Sequence, residues 1–196
     1  MAKIQLNRNI LILHLTILIW GFTGILGSLI SVSALHLVWY RVAIASIALL
    51  IYFLVTKQSI VVSRKQFLQF FMVGAVVGLH WVLFFYSIKV STVSVTLVTL
   101  SSVTLFTAIL EPIVNKKRIA LLDIVVGLVI IIGIYTIFSF ETHYLVGLLA
   151  GLGCAFCASI FSIANARMVK KSSPTLITFY EMMLSLIHIS EPTRRR

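Results

Sequence analysis

Ala34-Leu-His-Leu-Val-Trp-Tyr-Arg-Val-Ala-Ile-Ala-Ser-Ile-Ala-Leu-Leu-Ile-Tyr-Phe-Leu-Val55 carries one formal charge, Arg41. About 20 mainly apolar residues suffice for a helix to cross the hydrocarbon core of a bilayer, and a helix apolar on every face belongs in lipid or deep inside a large protein. The pattern recurs at Ile10–Ile30, Phe67–Ile88, Val93–Val114, Ile119–Phe138 and Tyr144–Ala166, and a seventh run begins near Thr175. Of 196 residues, 60% are apolar and 11% charged, against roughly a quarter charged in a soluble domain, and the mean hydropathy is +1.11. The sequence therefore describes an all-α integral membrane protein, a polytopic helix bundle with short polar connections and no soluble domain. The first run is too long for a signal-peptide core, lacks a clear small-residue cleavage site and is followed by further spans, so it stays in the mature protein.

The net charge of +11 would suggest nucleic acid in a soluble chain, but here the basic residues sit between the apolar runs and orient them. Lys3 and Arg8, then Lys57, Arg64 and Lys65, then Lys116, Lys117 and Arg118, then Arg167, Lys170 and Lys171 all fall on one side. The alternate connections hold only Lys89. Positive-inside bias puts the amino terminus in the cytoplasm of a cell whose cytoplasmic membrane the chain spans. Two cysteines do not staple a chain of this size.

The seventh run gives way at Glu191-Pro192 to three arginines, short of the far interface for a helix starting at Thr175. Leu184-Ser-Leu-Ile-His-Ile-Ser-Glu-Pro-Thr-Arg194 also resembles the translation of a transposon-type sequencing-library adapter. Residues 184–196 are accordingly expected to be a non-native tail, with native sequence ending near Met183 and the rest lost. A genuine basic end is the other reading, but the topology sets it on the wrong side or in lipid.

Ala34-Leu-His-Leu-Val-Trp-Tyr-Arg41 is echoed five spans later by Pro174-Thr-Leu-Ile-Thr-Phe-Tyr-Glu181, each an aromatic pair followed by an ionisable residue. An odd number of spans per repeat inverts the second copy, the arrangement on which many transporters are built. Together with Ile19-Trp20-Gly21, Tyr86-Ser-Ile-Lys-Val-Ser-Thr92, Leu105-Phe-Thr-Ala-Ile-Leu-Glu-Pro112, Gly127, Gly133 and the small-residue stretch through Ala166, the chain resembles the EamA-type family of the drug/metabolite transporter superfamily. The resemblance covers about residues 10 to 183 and implies two five-helix repeats, with 1–140 as the first and 141–183 as the start of an inverted second. It departs at Lys116-Lys117, where the family often carries Gly-Glu, so no role for that acid carries over. The resemblance also implies that roughly three and a half helices are missing, at the usual length of a span plus its loop.

Arg41 lies about 10 Å into the second span at 1.5 Å per residue. Charges at such depth normally face a cavity or a partner. Arg41 is either an anion- or carboxylate-binding contact near the outer side of a substrate path, or an arginine snorkelling past Trp39 and Tyr40. At about 100° per residue, Thr92, Thr96, Thr99, Thr104, Thr107 and Glu111 of the fourth span fall within an arc of roughly 140°. That stripe suits a helix lining an aqueous path, although hydroxyls also bond their own carbonyls and pack helices. Glu111 is a candidate proton-coupling carboxylate, with a salt bridge to Lys116 or Arg118 as its structural alternative. His80 can bind substrate or carry protons, or simply bridge helices. Trp20 beside Gly21 can line a pocket or pack. Cys154 and Cys157 have the redox spacing but sit in an apolar helix that disfavours thiolates, and are read as packing residues. Gly21, Gly24, Gly27, Gly74, Gly78, Gly147 and Gly151 permit close helix approach.

The substrate-path candidates are thus Trp20, Arg41, His80, Thr96, Thr99, Thr107 and Glu111. No metal-ligand cluster, nucleophile triad or phosphate loop stands in the connections, and neither an enzymatic activity nor a cofactor is expected. The expected function is secondary transport, in the export direction, of small metabolites such as amino acids by alternating access. Its partners are a small-molecule substrate, membrane lipid, and a coupling proton or exchanged solute; nucleic acid is excluded. As written, the chain lacks half of such a cleft and is expected to be inactive. The alternatives are a non-transporting membrane subunit or a small lipid-modifying enzyme, the latter without the acids or histidines such chemistry needs.

Overall fold

In the computed structural model, which describes residues 8–116, 118–140 and 142–190, every described run is helical. The helices are α1 (Arg8–Leu29), α2 (Ala34–Thr56), α3 (Arg64–Val90), α4 (Val93–Leu100), α5 (Val103–Asn115), α6 (Leu121–Phe140), α7 (Leu145–Met168) and α8 (Pro174–Ser190), with a 3₁₀ turn at Thr142–Tyr144. Lys3, Lys117 and the tail from Glu191 lie outside the described residues. Five helices are long and apolar enough to cross a membrane: α1, α2, α3, α7, and α4 and α5 taken together as Val93–Asn115. α6 is apolar over a shorter described stretch, Leu121–Thr136. The chain is a multi-pass helical membrane protein.

Helix starts follow from hydroxyl caps. Ser63 accepts from Gln66 N at 3.3 Å while Gln66 Oε1 accepts from Ser63 N at 3.0 Å, a reciprocal capping box. Ser33 and Thr92 cap α2 and α4 with one bond each, accepting from His36 N and Val95 N. α2 and α5 stop at Lys57 and Lys116, both at φ 53°, a left-handed backbone that favours glycine.

The expected fourth span is not one continuous helix, which corrects the geometry assumed for the threonine stripe. It kinks at Ser101-Ser102, where Ser102 N donates to Thr99 O at 3.1 Å and Thr104 N to Ser101 O at 3.2 Å, the tighter three-residue spacing of a 3₁₀ turn. Ser101 Oγ donates to Val98 O at 2.6 Å and Thr99 Oγ1 to Val95 O at 2.8 Å. Such hydroxyl bonds to the preceding turn bend helices without any proline.

α3 is the hub, packed chiefly on α7 and α8 and more lightly on α2, α1 and α4. Small residues set these approaches. A Cβ on Gly74 would stand 3.0 Å from Leu184 Cβ, and one on Gly151 would overlap the Thr99 hydroxyl. Gly24, Gly27, Gly78 and Gly147 are similarly crossed by side chains, whereas Gly21 has nothing within 4 Å and serves no helix contact. α1 buries only Gly24 and Gly27, so almost all of its apolar surface faces outward.

Polar links at the helix ends fix which loops share a side. Gln66 Nε2 donates to Ser172 Oγ at 3.0 Å, Tyr180 OH to Ile60 O at 2.8 Å, and Arg167 Nη2 to Val114 O at 2.7 Å. The described basic connections are therefore gathered at one end, called here the basic end. At the other, Lys89 Nζ donates to Ile30 O and Trp39 Nε1 to Ser190 Oγ at 2.8 Å. α8 runs unbroken to Ser190, so residues 184–190 pack as part of it, with Leu184 and Ser185 buried against α3.

Candidate functional site

The sequence candidates separate into three places. The first is a cation held on aromatic rings between α2 and α3. The Arg41 guanidinium lies 4.8 Å from the Trp81 ring centroid and 5.2 Å from that of Phe85. Those two rings are one turn apart on α3, with centroids 6.1 Å apart and planes inclined by only 20°, so they present one continuous π face. The position suits a guanidinium, which is attracted by the ring quadrupole and is weakly hydrated. Phe85 is fully buried, Trp81 is half-buried, and Arg41 itself remains exposed on its far side. Phe85 and Trp81 stand five and nine residues before the end of α3, roughly 7 and 13 Å along its axis. Arg41 therefore crosses to α3 at about its own depth and does not extend outward past Trp39 and Tyr40. Among the described residues no carboxylate pairs with it.

His80, adjacent to Trp81, is buried and bridges to α7, with Nδ1 3.0 Å from Cys154 O. A carbonyl only accepts, so Nδ1 carries the hydrogen. The ring stands edge-on to Trp81 and Phe161, and Cys154 Sγ lies 3.2 Å from the same nitrogen. Both cysteines are free thiols in the buried packing of α7.

The second place is the α3–α4–α7 contact, where Thr96 and Thr99 are buried. Ser87 Oγ and Thr96 Oγ1 are 2.8 Å apart, and Ser87 Oγ donates to Gly147 O at 2.7 Å. These hydroxyls join helices. Across the kink, Thr107 donates to Ser159 Oγ of α7 at 3.0 Å.

The third place is an open groove of about 430 Å³ beside α5, lined by Thr104, Thr107, Glu111, Pro112, Arg118 and Asp123, among others. It runs from the kink to the basic end, so the lower half of the threonine stripe does border open space. Among the described residues Glu111 accepts one hydrogen bond, from Asn115 Nδ2 at 3.3 Å, and forms no ion pair with Lys116 or Arg118. Arg167 instead caps the end of α5, donating to Val114 O and Asn115 Oδ1.

Trp20 joins none of these groups. It is 69% exposed on α1, beside the open Gly21. Sequence reasoning missed Phe85, Trp81 and Asn165. Phe85 and Trp81 follow His80 in the aromatic-rich end of α3, and their role needs the pairing of α2 with α3. Asn165, an amide within an apolar helix, was the available signal for the buried acid Glu181 described below.

Comparison with known proteins bears on these observations. No curated protein and no solved structure matches the chain. Residues 7–139, from the start of α1 almost to the end of α6, match the EamA-like transporter family. That match takes in six of the described helices, and the chain belongs to the EamA-like transporter family.

Proposed function

We propose that the protein serves as a secondary transporter of small metabolites with an anionic group, amino acids or related carboxylates, working by alternating access. The observation that carries this reading is Arg41 resting on Trp81 and Phe85 with no carboxylate partner among the described residues. The aromatic faces hold the cation in place, and its outward N–H groups are left for a ligand carboxylate, which a guanidinium engages bidentately. The groove beside Glu111 would open toward the basic end, the cytoplasmic side on the positive-inside reading, and the direction of transport would be export. Residues 141–183 would begin a second, inverted repeat: Arg41 and Glu181 each stand seven residues after the first residue of their helix, and both helices pack on α3.

Binding of a radiolabelled amino acid to the purified chain, wild type against R41Q, tests the reading. A charged hydrogen bond contributes about 1.5–3 kcal/mol, so R41Q should weaken binding roughly 10- to 100-fold. Unchanged affinity in R41Q would remove Arg41 from the site. Reconstituted vesicles of this chain alone are expected to bind without transporting, because alternating access between repeats needs both.

A further inference from the structure

Glu181 lies in α8 about 10 Å from its basic end and is only 5% exposed. Its Oε1 is enclosed without a hydrogen-bond partner, and so is Oδ1 of Asn165 on α7. The Asn165 side chain is nevertheless the hydrogen-bonding neighbour of this same carboxyl. Side chains tilt toward the amino-terminal end of their helix, so Glu181 leans down α8 while Asn165 leans up α7. What the geometry leaves is an enclosed carboxyl whose Oε1 has no donor. A proton on that oxygen makes the group a neutral acid, able to donate to an acceptor beside it.

Among the described residues no cation is paired with that carboxyl. On α3, Gly74 abuts the Glu181 backbone, Lys65 stands at the first turn, and His80 is engaged with Cys154. On α2, Arg41 is over Trp81 and Tyr52 OH accepts from Gln58. On α7, Arg167 is turned to α5. On α8 itself, Tyr180 donates to Ile60 O and His188 packs on Phe71. A carboxylate enclosed without a counter-charge is far costlier than a neutral acid.

We infer that Glu181 is a proton-binding site, occupied in this packing by one proton on its carboxyl. The ligand is the proton, and the site stands on the enclosure of Glu181 where α8 packs on α3 and α2, whether or not Arg41 binds a carboxylate. It places one exchangeable proton inside the span on the basic side.

Infrared spectroscopy of the membrane-reconstituted chain, with glutamate ¹³C-labelled, tests this directly. At pH 7 exposed carboxyls are ionised, so the expected result is a glutamic-acid C=O band equivalent to about one carboxyl that shifts in D₂O. The band should vanish in E181Q, persist in E111Q, and move to higher frequency in N165L, where the C=O loses its amide donor. Absence of the band in wild type at pH 7 overturns the proposal without any variant, as does a band that E181Q leaves intact.

Discussion

Arg41 and Glu181 occupy matching registers on two helices that flank α3, yet the molecule treats their charges in opposite ways. Arg41 lies on a π face and stays open on one side. Glu181 is enclosed, and among the described residues its Oε1 has no hydrogen-bond partner. An intramembrane charge survives where its unfavourable desolvation is met by quadrupoles and by access to a ligand or water. Where neither is offered, the same position is satisfied by a proton. The lesson lies in packing: the sequence echo makes the two residues equivalent, and their neighbours make them different.

The comparison breaks most visibly if the enclosed site is forced to hold a cation. E181K would place an ammonium against Asn165 with no acid nearby, and removal of compensation from a buried charge costs about 3–5 kcal/mol. Thermal unfolding in micelles should show a large loss of stability. E181Q, by contrast, keeps an amide able to donate to Asn165 Oδ1 and should stay within about 0.5 kcal/mol of wild type. A clearly stabilising E181Q would mean that wild type holds an ionised, unpaired carboxylate. A smaller effect is expected at the open site. W81L removes the better of the two π faces and should cost about 0.5–2 kcal/mol, read as a modest weakening of carboxylate binding with the chain still folded.

Much of this architecture was legible in the amino-acid sequence. Span positions follow from run lengths, and the structure starts α2 at Ala34 and α4 at Val93, where the apolar runs begin. The shared end of the basic loops follows from alternation and is seen in the Gln66–Ser172 and Arg167–Val114 links. The kink at Ser101-Ser102 was not legible, because hydropathy does not register a hydroxyl competing for a carbonyl three residues back. Thr96 and Thr99 lie buried at the α3–α4–α7 contact, Thr107 reaches both α7 and the open groove, and Glu111 borders the groove alone. The Arg41–Trp81 and Glu181–Asn165 contacts depend on which helices pair and in what register, information that no single span contains.

Competition binding with a carboxylic acid and its neutral amide isostere, on the same purified chain, tests the central claim most directly. The account predicts that the acid displaces a labelled amino acid at least about tenfold better than the amide in wild type, and that this preference disappears in R41Q while surviving in E181Q. Equal displacement by acid and amide in wild type would contradict it.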